Sequence, residues 1–234
     1  MPLQGARGER RTHRRDDHSH DDRKRRSHVQ LRHEHGGTAK HADPALGRVM
    51  LRARKLRRRL REEPRRIVIG ASGVFEAGWV PSDRDELDLL RPESWERFVR
   101  PGSVDALLAE HVWEHLTLKD GKVAAQTCYR FLKPGGYVRV AVPDGFFPDP
   151  QFQEYIKVGG EAGGGNVGGH KVVYTYSQLA QVFESAGFRA ILLEYHDEAG
   201  HFHEREWNPA DGMVHRSKRF DPRGPISIVL DAVK

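Results

Sequence analysis

Three short clusters in this chain could do chemistry together. Gly70-Ala71-Ser72-Gly73 is a run of small residues directly after the apolar triplet Ile67-Val68-Ile69. A bend of this kind after a first parallel strand lets a ligand approach the backbone closely. Asp83 follows Gly78-Trp79-Val80, which reads as a second strand. An acid just past such a strand can accept hydrogen bonds from both ribose hydroxyls of a nucleoside. Glu110-His111 ends the apolar run 104–109, and open parallel sheets bind ligands beyond the carboxyl ends of their strands. Only about a dozen residues separate the bend from the aspartate, against the ~20 of the dinucleotide fingerprint. The first crossover helix must therefore be very short or missing, which argues against an ordinary NAD-binding domain.

A fourth cluster, His111-Val112-Trp113-Glu114-His115, matches H-x-x-E-H, an inverted zinc-hydrolase signature. Its surroundings do not fit a zinc hydrolase. It begins at the end of a parallel strand, whereas the signature needs a helix. The reading adopted is a ligand-edge pair, Glu110-His111, followed by a structural pair, Glu114-His115, with no metal expected. The single cysteine, Cys128, excludes an intramolecular disulfide and a thiolate metal cluster.

The elements that must hold these residues centre on 104–144. Residues 104–109 predict a buried strand and 118–132 an amphipathic helix. Lys133-Pro134-Gly135-Gly136 predicts a turn, and 137–142 a second, β-branched strand. A strand, a helix and a strand of these lengths make a right-handed parallel unit. A third short strand is expected at 87–90 and a short helix at 92–99. A helix is expected over 177–187 with Ser177 as its N-cap, then strands at 188–194 and 225–233. The seven glycines of 158–169 predict a flexible lid or linker. Residues 195–224, with four histidines and Trp207, have the composition of a working surface rather than a core.

Charge is unevenly placed. Residues 1–66 hold 21 Lys or Arg against 9 Asp or Glu, and 67–234 hold 18 against 24, so the net charge of +6 belongs to the leading part. A basic nucleic-acid groove in the main domain is therefore not supported. Residues 1–45 are poor in apolar side chains and contain seven of the fourteen histidines. A disordered, solvated basic tail is expected, able to make weak contact with nucleic acid or an anionic surface. A start at Met50 would leave this leader unmade. Residues 46–64 read as a basic helix or leader, and 65–234 as the main domain, with substrate-side insertions at 145–176 and 195–224. No apolar run has the length of a transmembrane helix and no secretory h-region is visible, so a cytoplasmic location is expected.

The segments IVIGASG, GWVPSD, VDALLAEHVWEHL, FLKPGGYVRVAVPD and SAGF, in this order and spacing, resemble class I S-adenosylmethionine-dependent methyltransferases. The likeness is to bacterial members of the type 11-like group whose tails carry GHK…Y, E-x-G-x-F-H and R-S-x-R-F-D-P-R segments. Here these are Gly169-His170-Lys171 with Tyr174, Glu198 to His203, and Arg216 to Arg223. The resemblance covers 66–234 and implies an α/β, Rossmann-like sheet of about seven strands, the last antiparallel. It implies S-adenosylmethionine as cofactor, with Gly70, Ala71, Ser72 and Gly73 against the methionine part and Asp83 on the ribose. Asp88 and Leu89 would lie near the adenine, and Glu110 and His111 would close the site from the fourth strand. The acceptor would be a small molecule or glycan-like. Asp144, His170 and His203 are the candidate bases, each equally consistent with a satisfied loop residue. The usual first loop is G-x-G-x-G, and here it is G-A-S-G followed by Val74-Phe75. The alternative function is thus a non-catalytic module on a degenerate fold that binds S-adenosylmethionine or nucleic acid.

Overall fold

A computed structural model of the chain describes residues 44–71, 76–162 and 168–234. The tail expected over 1–45 lies, but for its last two residues, outside the described residues, as do Ser72, Gly73 and the centre of the glycine-rich 158–169 stretch.

Seven strands form one sheet: β1 (Arg66–Ile69), β2 (Val80–Ser82), β3 (Val104–Glu110), β4 (Leu132–Pro143), β5 (Arg189–His196), β6 (Phe202–Glu204) and β7 (Ser227–Val233). Their order is β2-β1-β3-β4-β7-β5-β6. β1 pairs parallel with β2 and β3, and β3 parallel with β4. β7 runs antiparallel between β4 and β5, as expected for the last strand. The strand expected at 87–90 does not form. Those residues make turns in which Asp88 Oδ1 accepts from the Leu90 N–H at 2.9 Å, so the local Asx turn outcompetes an extended run. Glu110 consequently ends the third strand of the chain, not the fourth. The seventh place in the sheet goes to β6, a short antiparallel edge strand inside the stretch expected to be a surface connection.

The helices are α1 (Pro44–Arg59), α2 (Pro92–Glu96), α3 (Leu118–Phe131), α4 (Pro150–Ile156) and α5 (Tyr176–Glu184). Thr117 caps α3, accepting from the Asp120 N–H at 3.1 Å. α5 starts one residue earlier than expected. Thr175, not Ser177, is its cap, because Gln178 answers it in a reciprocal capping box. α4 has no counterpart in the sequence expectations. Asp149 caps it through the N–H groups of Gln151 and Phe152. The Lys133-to-Gly136 turn is absorbed into β4 as a break in its register with β3. A Cβ at Gly136 would come within 2.9 Å of the Asp105 carbonyl oxygen, so only glycine lets the two strands close here.

One face of the sheet carries the larger core. Trp95 stacks on Phe131, and Trp113 packs on Phe183, with α3 and α5 supplying Cys128, Leu179 and Val182. Leu56 and Leu60, from α1 and the turn after it, are buried in the same core. The leader therefore docks firmly at its carboxyl end, while Val49, Met50 and Leu51 are exposed. The other face carries Val68, Ala106, Leu108 and Val229, packed with Trp79, Val214 and Trp207. Residues 205–217 lie across this face as an irregular strap. Arg139 of β4 fixes it, donating to the carbonyls of Asn208 (3.1 Å) and Gly212 (2.8 Å) while forking onto Asp231 at 2.8 Å for both bonds.

Candidate active site

The carboxyl ends of β1, β2 and β3 open into one cavity of about 1110 Å³. At the end of β1, Gly70 has φ +64°, and a Cβ there would stand 3.0 Å from Val112 Cγ2. The Ala71 N–H then returns to the Ser82 carbonyl at 3.1 Å, which ties the bend to β2. Gly70 and Ala71 both line the cavity.

Asp83 leaves β2 at the head of a turn. Its carbonyl accepts from the N–H groups of Glu86 and Leu87, each at 3.0 Å. The Asp83 side chain is half-buried, lines the cavity, and has no hydrogen-bond or ionic partner among the described residues. Asp88 and Leu89 line the same cavity. Asp88 Oδ2 lies 3.6 Å from Arg84 Nε and 4.0 Å from Arg91 Nε.

Glu110 and His111 also line the cavity, at the end of β3. Glu110 is engaged: Oε1 accepts from the Arg216 N–H at 2.8 Å, and Oε2 from the His215 N–H at 3.2 Å. It anchors the end of the strap to the sheet, and Met213, His215 and Arg216 reach the cavity from there. His111 has φ +54°, an uncommon conformation for a side chain with a Cβ. Its N–H donates to the Ala141 carbonyl at 2.8 Å. Its Nε2 lies 3.1 Å from Ser227 Oγ and its Nδ1 3.1 Å from Glu114 Oε1.

The three candidate bases separate. His170 is buried and lines the cavity. Asp144 is fully buried outside the lining, with Oδ2 accepting from the N–H (2.8 Å) and Nδ1 (2.9 Å) of His196 and Oδ1 from the Phe146 N–H (2.9 Å). Its environment is that of a structural tie between β4 and β5. His203 sits on the edge strand β6, stacked on Tyr195 and bonded to Asp197 Oδ2 at 2.8 Å, and it too stands outside the lining.

Two lining residues were read as a structural pair. Glu114 and His115, in the 3-10 turn Trp113–His115, both face the cavity. The H-x-x-E-H spacing was the signal available for them. Arg223, the last residue of the R-S-x-R-F-D-P-R segment, also reaches the lining, as does Arg52 of α1, which no sequence signal singled out.

Residues 90–140, from just before α2 into β4, match the family model of a methyltransferase domain. Over this stretch the chain is similar to methyltransferase domains. S-adenosylmethionine is the methyl donor of such domains, and the β-sheet with its antiparallel last strand is the frame that the resemblance implied. Among curated proteins, none matches this sequence. Solved structures similar to it include a SAM-dependent methyltransferase from Archaeoglobus fulgidus, 17% identical, covering 80% of this chain and 94% of that one with a TM-score of 0.45. A second is a SAM-dependent methyltransferase from Thermotoga maritima, 16% identical, with 81% and 95% covered and a TM-score of 0.42. A third, from Mesorhizobium loti, is 11% identical, with 73% and 90% covered and a TM-score of 0.40. Likeness this distant decides nothing about the site.

Proposed function

We propose that this chain transfers the methyl group of S-adenosylmethionine to a small-molecule acceptor bound in the same cavity. The reading rests above all on Asp83. A half-buried carboxylate with no partner among the described residues keeps its oxygens available to a ligand's donors, and paired ribose hydroxyls are such donors. Gly70 and Ala71, beside it, leave room for the methionine part to lie against backbone. Asp88 and Leu89 take the adenine side, and Glu110 with His111 forms the inner wall. Ser72 and Gly73, assigned to the methionine part by the resemblance, lie outside the described residues.

When bound, S-adenosylmethionine would supply an electrophilic methyl group whose transfer to the acceptor's lone pair leaves a neutral thioether, and the acceptor would lose its proton where it carries one. The sulfonium needs no covalent help, so the protein's work is positioning and proton removal. The 145–176 segment contributes Phe152 and Tyr155 to the lining, and the strap contributes Met213 and Arg216. These surfaces suit an acceptor with both apolar and polar parts.

Calorimetry of the full chain with S-adenosylmethionine tests the cofactor site. Asp83→Ala should weaken binding by ~1–3 kcal/mol, the loss of a charged acceptor. Unchanged affinity would remove Asp83 from the site. Transfer of labelled methyl to a small-molecule extract, lost in the same variant, separates an enzyme from a module that only binds.

A further inference from the structure

Glu114 is the least satisfied ionisable side chain of the described core. It is 1% exposed, and neither carboxylate oxygen accepts a hydrogen bond. The His111 ring is adjacent, its Nδ1 3.1 Å from Oε1 without the alignment of a bond. A buried carboxylate left this way is strongly unfavourable unless a cation meets it.

Two imidazoles stand beside it. One donor atom each from Glu114, His115 and His170 lies within 4.8 Å of the other two. The rings of His115 and His170 meet edge to face at 5.2 Å. His115 Nδ1 is bonded to the Gly168 carbonyl at 3.0 Å, and His170 Nδ1 to the Ile156 carbonyl at 2.7 Å. A carbonyl can only accept, so Nδ1 carries the proton in both rings. Nε2 is left with its lone pair, the arrangement that orients a metal-binding histidine. The backbone holds the set together: the Glu114 carbonyl accepts from the Lys171 N–H at 2.8 Å, which fixes His170 next to the 3-10 turn.

We propose that Glu114, His115 and His170 form a three-ligand site for a divalent transition metal of the zinc class. Two imidazoles and one carboxylate are a known zinc donor set that keeps a fourth position open. Ligands ~2 Å from a tetrahedral ion stand about 3.3 Å apart, so the three side chains draw in by on the order of one ångström on binding. His111 is not a ligand: its ring nitrogens face Ser227 and Glu114, and it positions the carboxylate. The ligand set therefore differs from that of the H-x-x-E-H signature. All three ligands line the cavity, so the open position faces whatever binds there. The proposal is independent of methyl transfer, and metal-free chain that still binds S-adenosylmethionine would leave the two readings separable.

The test is titration of chelator-treated full chain with Co²⁺, then displacement by Zn²⁺. Wild type should show the visible d–d absorption of low-coordinate cobalt and bind one equivalent more than His115→Ala/His170→Ala. The histidines of residues 1–45 supply a background common to both proteins. Glu114→Gln, an isosteric change that keeps the fold even if the double variant does not, should lower zinc affinity ~tenfold or more. It should also abolish any zinc-induced rise in melting temperature. Equal stoichiometry in wild type and variants, or a Glu114→Gln protein that is simply more stable with unchanged zinc binding, would overturn the proposal and leave Glu114 as half of a buried ion pair with His111.

Discussion

A single Cβ atom decides whether the bend after β1 can exist. Gly70 needs φ +64° and has Val112 Cγ2 3.0 Å from where a Cβ would be. Gly70→Ala should therefore cost ~1–2 kcal/mol from the left-handed backbone, with more from the clash. Thermal unfolding checks the loss, and adding Val112→Ala should restore only the steric part. Gly70, Asp83 and Glu110, which line one cavity, could be singled out from sequence because each follows or ends a short apolar run at a strand end. Asp144 and His203 show the opposite. Both are polar residues near strand ends, but their roles depend on partners, His196 for Asp144 from 52 residues away and Asp197 for His203 across the tight β5–β6 hairpin, that come together only once those strands form. The grouping of Glu114 with His115 and His170 is also hidden in the sequence. His170 lies 56 residues from Glu114, so the grouping exists only after folding.

At the scale of elements, the β5–β6 hairpin was invisible in the sequence, since β6 is three residues long and sits among charged side chains. Its closure depends on Asp197. The hydrogen bond from His203, with the backbone N–H groups of His201 and Ala199, holds that carboxyl at about 2 against an ordinary 3.8. A depressed folded value means that the contribution is complete above roughly pH 4 and disappears as the pH falls through about 2. Amide exchange should show protection across the Tyr195–His203 pair weakening over that acid window, and Asp197→Asn should remove the dependence. Exchange that is flat in wild type would show that the loop closes without this carboxylate. α3 and β4 were legible because periodicity and the Lys-Pro-Gly-Gly break agree. The strand expected at 87–90 failed because four residues containing two leucines are ambiguous, and the Asp88 side chain offers the backbone a turn instead.

Across the whole molecule, the strap 205–217 joins two tasks. It covers the second face of the sheet, where Val214 is fully buried, and it delivers Met213 and His215 to the cavity. Its composition suggested only a surface, because aromatic and charged residues were not expected to make a lid over a buried arginine. Arg139 is 2% exposed, forks onto Asp231 and lies 4.8 Å from the Trp207 ring centroid. Arg139→Ala should destabilise the fold by ~3–5 kcal/mol, because it strands Asp231 and two carbonyls. Denaturant unfolding reads this directly, and a loss below about 1 kcal/mol would mean that the strap is held by its apolar contacts alone.

The position of β7 has a consequence for biosynthesis. β5 and β6 have no sheet partner on the β4 side except β7, and β7 leaves the ribosome after all the strands it joins. Until then the growing chain holds two unzipped half-sheets with bare edges, a state prone to mispairing. Ser227, which contacts the His111 ring, arrives with the same strand. A nascent chain thus completes its binding face and seals its sheet in one late event.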